Sequence, residues 1–207
     1  MRRLAVLASG NGTNLQSIID ATESGAIPDA QVVVVASNHK RAYALQRAEN
    51  HGIDTIYHPL LPYRKRYPDL DERELREQWD ADLREALLAY EPDLLILAGW
   101  MRLFTMDFLK AFSGRVLNIH PALPGMFPGM HAIERAYEAF QRGEITHTGI
   151  MVHRVPDEGV DCGPVVLQCE VPIYAQDTLD DLEQRIHSME HQLYIEAVTL
   201  VLNQVAA

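Results

Sequence analysis

Up to residue 120 the chain alternates short apolar runs with longer stretches whose apolar positions recur every three or four residues. This is the pattern of parallel strands joined by crossover helices. Strands are predicted at Leu4–Ala8, Gln31–Ser37, Thr55–Tyr57, Leu94–Ala98 and Val116–Ile119, and helices at Asn14–Ser24, Arg41–Asn50, Asp71–Tyr90 and, shorter, Met106–Phe112. The valines Val32–Val35 show no polar alternation, which marks a strand covered on both faces, at or near the sheet centre. Pro59–Arg76 is dense in charge and proline and reads as a loop leading into a solvated helix face.

After Pro121 the pattern changes. A loop rich in Pro and Gly (Pro121–Gly129) leads to a helix near Ile133–Arg142, then to strands near Thr148–Val155 and Pro164–Val171. The link Pro156–Asp161 is short enough for an antiparallel pair, so the sheet is expected to be mixed. A last helix starts at Thr178, with Asp181 at capping-box spacing. Its apolar stripe is predicted to be Leu179, Leu182, Ile186, Met189, Leu193, Ala197 and Leu200. No linker or repeat divides residues 1–207, and one α/β domain is expected.

Composition narrows the function. With 207 residues, 47% of them hydrophobic, the chain is long enough for one core. Its 18 Lys+Arg against 29 Asp+Glu give a net charge of −11, a surface that repels polyanions and disfavours nucleic-acid binding. Cys162 and Cys169 lack a C-x-x-C spacing, which suits free thiols in a reducing cytoplasm. Leu4–Ala8 is too short for a secretion signal and Leu94–Met101 too short to span a bilayer, so a soluble, cytoplasmic protein without membrane contact is expected.

Two clusters carry candidate chemistry. Ser9-Gly10-Asn11-Gly12-Thr13-Asn14-Leu15 joins the first strand to the first helix, where backbone N–H groups and the helix dipole favour an anion. Thr13 or Asn14 is expected to cap that helix. Leu15 stands where a dinucleotide fingerprint needs Gly or Ala, and Ser37-Asn38-His39 offers no acidic residue for a ribose, so NAD is not predicted. No Gly-Lys-Ser/Thr follows the turn, so neither is a P-loop. In the second cluster, Asn118 and His120 lie two apart on the fifth strand and share a face at its C-terminal end, the same sheet edge as the glycine turn. Asn118 offers a donor to a developing oxyanion, and His120 a proton donor or acceptor near neutrality. Asp161 is the carboxylate expected to orient His120 and favour its protonated form. None of the three is a nucleophile, and no G-x-S-x-G elbow is present. Such a set suits a reaction in which the substrate supplies the nucleophile, as when an amine accepts an acyl group. His187-Ser188-Met189-Glu190-His191 fits H-x-x-E-H, but the helix stripe leaves these residues on its flank and no metal is predicted.

With Gly10-Asn11-Gly12-Thr13-Asn14-Leu15, Asn118-Ile119-His120-Pro121, Leu97-Ala98-Gly99-Trp100-Met101-Arg102, Asp161-Cys162-Gly163-Pro164 and Glu190-His191, nearly the whole chain resembles the phosphoribosylglycinamide formyltransferase family. The resemblance implies a Rossmann-like formyltransferase fold, mostly parallel, with an antiparallel C-terminal part and helices on both faces. It also implies formyl transfer from 10-formyltetrahydrofolate to the amine of glycinamide ribonucleotide in purine biosynthesis. By the same resemblance Gly12, Thr13 and Asn14 hold the phosphate and Glu190 contacts the ribonucleotide. Arg64, Met101, Arg102, Leu103, Phe104 and Asn118 border the folate, with the Asp157–Asp161 loop opposite. Asn118, His120 and Asp161 are the catalytic trio. The loop His120–Gly129 departs from the family, its second proline standing one place early, at Pro124. Other folate formyltransferases, a formyltetrahydrofolate hydrolase and a non-catalytic nucleotide-binding module are the alternatives. A tRNA formyltransferase would call for a further C-terminal domain and a basic surface, and the hydrolase for an N-terminal regulatory domain and a different glycine loop. Oligomeric state is open between monomer and homodimer.

Overall fold

A computed structural model describes residues 1–205. Strands β1 (Arg2–Leu7), β2 (Ala30–Ser37), β3 (Asp54–Tyr57), β4 (Leu94–Leu97), β5 (Val116–His120), β6 (His147–Arg154) and β7 (Val165–Pro172) make one sheet in the order β3-β2-β1-β4-β5-β6-β7. The first five strands are mutually parallel, and β6 and β7 join antiparallel. The winding reverses between β1 and β4, which opens a crevice at the C-terminal ends of these strands.

The helices are α1 (Thr13–Glu23), α2 (Tyr43–Asn50), α3 (Leu61–Arg66), α4 (Glu72–Leu88), α5 (Met106–Ala111), α6 (Ala132–Gln141) and α7 (Leu179–Val205). Alternation along the strands feeds two cores. Leu4, Val6, Leu94 and Ile96 pack with α1, α2, α6 and α7 on one face; Ala5, Leu7, Leu95 and Leu97 pack with α4 and α5 on the other. The second core is built on stacked aromatic rings, Trp79 against Trp100, Trp100 against Phe104 and Phe104 against Phe108. Among the described residues no helix is long and apolar enough to cross a membrane.

The mixed α/β sheet and its elements match the expectation, with four local corrections. The valine strand lies second from the sheet edge, and β4, buried at every position, is the centre. A bulge in the β1–β2 pairing leaves Val33 without a register partner and half-buried. Pro59–Arg76 contains α3, because Pro62 sits in the first turn, where its missing N–H costs no intrahelical bond. The α7 stripe turns toward Tyr194, Val198, Val201 and Leu202, leaving Leu200 39% exposed, since the helical period drifts from the three-and-four spacing drawn through Leu200. The Thr178–Asp181 capping box forms as expected, each residue's N–H donating to the other's side chain at 2.9 and 3.2 Å.

Tyr194 ties α7 to the crevice. The β4–β5 register ends at Leu97 and Asn118, and the fully buried Tyr194 hydroxyl lies 3.1 Å from the Leu97 carbonyl and 3.2 Å from that of Leu117. Tyr194→Phe should therefore destabilise by roughly 1–3 kcal/mol, the cost of under-satisfied buried acceptors. Urea unfolding checks this: the midpoint falls with an unchanged m-value.

Candidate active site

The glycine turn is built as a loop with free N–H groups. Gly12 is the N-cap of α1 in the left-handed region (φ 77°), and no side chain caps the helix. This corrects the expected cap: Thr13 is already the first helical residue and Asn14 points elsewhere, so the N–H groups of the first turn face outward. A Cβ on Gly12 would lie 2.8 Å from that of Ala44, so the turn also needs glycine for α2 to approach. Ser9 Oγ donates to Asn38 Oδ1 (2.7 Å) and accepts the Met101 N–H (3.0 Å), tying the turn to the ends of β2 and β4. Arg47 of α2 holds Asn11 by its carbonyl and its side chain, at 2.9 and 2.8 Å.

Asn14 reaches α7, its Nδ2 donating to Glu190 Oε2 at 3.2 Å, and the same oxygen meets His187 Nδ1 at 3.0 Å. Glu190 is buried, and its hydrogen bond pushes the half-exposed His187 above the ordinary imidazole value. Burial pushes His191 down, and its Nε2 is buried with no partner. Among the described residues no cluster of three or more His, Cys, Asp or Glu is arranged to hold a metal.

Asn118, His120 and Asp161 converge. Asn118 Nδ2 donates to Asp161 Oδ1 at 3.0 Å, and His120 Nδ1 lies 3.2 Å from Asp161 Oδ2, which also accepts the Gly129 N–H at 2.8 Å. Asp161 adopts φ 50°, a left-handed conformation uncommon outside glycine, so the loop aims this carboxylate at some cost in backbone strain. The 121–131 loop turns through positive φ at Gly125, Phe127, Gly129 and His131, bringing the Met126 carbonyl within 3.4 Å of His120 Nε2.

Both ring nitrogens of His120 thus face acceptors, which only an imidazolium could satisfy together. Burial nonetheless outweighs Asp161 and the Met126 carbonyl, and the net direction is down. Asp161 itself acts in the expected direction, raising His120 toward the protonated form, while burial sets the sign of the net shift. Asp161 goes the same way for another reason: burial raises it, but the His153 ring, the Gly129 N–H and the His120 ring together hold it below the ordinary carboxylate value.

His153 is the residue the sequence did not reveal. It stands opposite Asn118 in the β5–β6 register, with its Nδ1 2.9 Å from the Arg154 carbonyl and its Nε2 3.2 Å from Asn118 Nδ2 and 3.6 Å from Asp161 Oδ1. Only the cross-strand register makes it part of the site. On the far side a cavity of about 440 Å³ is lined by Leu60, Glu72, Arg73, Leu75, Arg76, Trp79, Met101, Arg102 and Leu103. Met101 and Leu103 are exposed there, whereas Phe104 turns into the aromatic core. Arg64 pairs with Glu72 at 2.7 Å outside the cavity lining, which Arg73, Arg76 and Arg102 supply.

An open α/β sheet with an uncapped helix N-terminus beside an Asn, His and Asp trio is the architecture of a group-transfer enzyme. Residues 2–198 match the formyl transferase family, and the chain belongs to it. It is 45% identical over 204 residues, 96% of each chain, to a phosphoribosylglycinamide formyltransferase of Schizosaccharomyces pombe. It is 40% identical to the protein of that name in Escherichia coli, over 92% of this chain and 82% of that one. Among solved structures, a glycinamide ribonucleotide transformylase 1 from Symbiobacterium toebii superposes with TM-score 0.84 at 42% identity, covering 97% and 87% of the two chains. A phosphoribosylglycinamide formyltransferase from Bacillus halodurans gives 0.86 at 34%, covering 99% and 97%.

The histidines should titrate apart. In ligand-free protein His187 is expected above its ordinary value and His120 below it. For His120 and Asp161, both lowered by folding, the linked stability is present above the ordinary values and lost as pH falls through the folded ones. Ring resonances followed by NMR from about pH 5 to 8 check the order.

Proposed function

We propose that the chain moves the formyl group of 10-formyltetrahydrofolate to the amine of 5′-phosphoribosylglycinamide, a step of purine biosynthesis. The observation that carries this is the Asn118–Asp161–His120 cluster at hydrogen-bond distances, on the sheet edge that also holds the uncapped turn at Gly12. The names of the relatives, over nearly the full chain, support the same reading.

In this reading the phosphate lies at Gly12, Thr13 and Asn14, met by backbone N–H groups and the α1 dipole. Glu190, fixed by Asn14 and His187, faces the ribonucleotide. The folate fits the cavity by its chemistry: Met101 and Leu103 offer apolar surface to a ring system, and Arg73, Arg76 and Arg102 balance an acidic tail. Arg64 and Phe104 support this site from behind rather than from its wall.

The amine attacks the formyl carbon directly. The new C–N bond forms, negative charge grows on the formyl oxygen, and collapse breaks the bond to the folate nitrogen. His120 and the Asn118 amide supply donors to that oxygen. As charge develops there, His120 takes up a proton from water, and the imidazolium acts as general acid, giving its proton to the departing folate nitrogen; the proton that leaves the attacking amine replaces it. Asp161 stabilises the imidazolium and, through a water, accepts the proton lost by the attacking nitrogen. The Asn118 donors, held at rest by Asp161 and His153, swing to the oxyanion during the step.

Asn118→Ala and His120→Ala should each lower kcat on the order of 10²–10³-fold with little change in either dissociation constant. Wild-type kcat in both would move the chemistry elsewhere. Gly12→Val, which meets both positive φ and Ala44, should raise KM for the ribonucleotide and leave folate affinity nearly unchanged. Steady-state formyl-transfer assays with each substrate varied in turn read both effects.

A further inference from the structure

Away from the trio, two carboxylates from different elements meet successive backbone N–H groups where α5 begins. Asp80 Oδ2, from α4, accepts the Thr105 N–H at 2.6 Å, and Glu158 Oε1 accepts the Met106 N–H at 3.2 Å. Arg76, one turn before Asp80, binds the other Glu158 oxygen at 2.7 Å. Thr105 and Met106 follow the 101–104 segment, and Glu158 belongs to the loop that ends in Asp161. Both walls of the folate cleft are thus fastened to one turn of α4.

Asp80 is the unusual member. It is 1% exposed, its Oδ1 has no partner, and Arg76 Nε beside it has none. The charged groups that bear on it are Arg76 from its own helix and Glu158 from the loop, and at the N-cap of α5 it meets Thr105. Burial lifts it to about 6, against the Thr105 hydrogen bonds and Arg76, and Glu158 adds to the rise. Folding therefore favours the protonated acid, so the carboxylate costs stability at neutral pH. A buried carboxylate that accepts the Thr105 N–H, on the helix whose Arg76 also holds Glu158, joins the two segments through one element, and such a charge points to use.

We propose that Asp80 is a positioning residue for the folate cleft: by holding Thr105 and attracting Arg76, its carboxylate fixes the 101–104 segment against the loop that carries Asp161. The role rests on the folate reading above and adds to it a residue that touches no substrate. Asp80→Asn keeps the size and an acceptor for Thr105 but drops the charge; Asp80→Ala removes both.

The test measures tetrahydrofolate binding by calorimetry from about pH 5 to 8, thermal midpoints, and amide exchange without ligand. Thermal midpoints establish that both variants are folded at the temperature of the binding measurement. Wild-type affinity should fall as pH drops through about 6, and Asp80→Asn should be weaker by roughly 10-fold at neutral pH and lack that limb. In Asp80→Ala, exchange at Thr105 and Met106 should speed up, while KM for the ribonucleotide stays put in both variants. If wild type binds tetrahydrofolate and both variants match it in affinity and pH profile, Asp80 has no such role and the folate reading stands. If wild type does not bind it, the folate reading fails and this role with it.

Discussion

The site depends on one carboxylate. Asp161 receives the Asn118 amide on one oxygen and the Gly129 N–H on the other, where the His120 ring also lies. Those contacts join β5, the 121–131 loop and the 157–161 loop, segments with no sequence proximity. Protonating the carboxyl would turn one of these acceptor positions into a donor, against the Asn118 amide and the Gly129 N–H. The loop accepts a left-handed backbone at Asp161 to deliver it, and the carboxylate is held ionised although burial opposes this.

The fold makes this convergence possible through the reversal of winding between β1 and β4. The same reversal places the uncapped start of α1 and the ends of β4 and β5 along one edge. α7 then closes the crevice from one face, with Glu190 toward the glycine turn and, one turn on, Tyr194 beneath the fork of β4 and β5. The Glu190 contact to the glycine turn and the strand geometry are thereby set by the same helix. On the other face, the aromatic stack gives a stiff floor for the 101–104 segment.

What could be read in advance follows from which regularities are local. The period of two along β5 is enough to place Asn118 and His120 on one face, and the Gly-Asn-Gly turn before an amphipathic helix is enough to mark where the chain passes from β1 into α1. His153 joins Asn118 only through the register of an antiparallel pair, and neither strand's own pattern sets that register. The direction of the His120 shift is likewise tertiary: the nearby carboxylate raises it, as the sequence suggests, but the depth of burial, visible only in the fold, decides the sign. Arg64 comes from the family resemblance alone; in the fold it pairs with Glu72, while α4 brings Arg73 and Arg76 to the cavity.

The account stands or falls on the charge of Asp161. Asp161→Asn keeps the size of the side chain and removes the charge, so the measurement is the His120 titration by NMR in that variant alongside its kcat. The account predicts that His120 moves further below its ordinary value, because the one charge that raised it is gone, and that kcat falls by roughly 10²-fold or more. A His120 titration and a kcat both unchanged from wild type would contradict it.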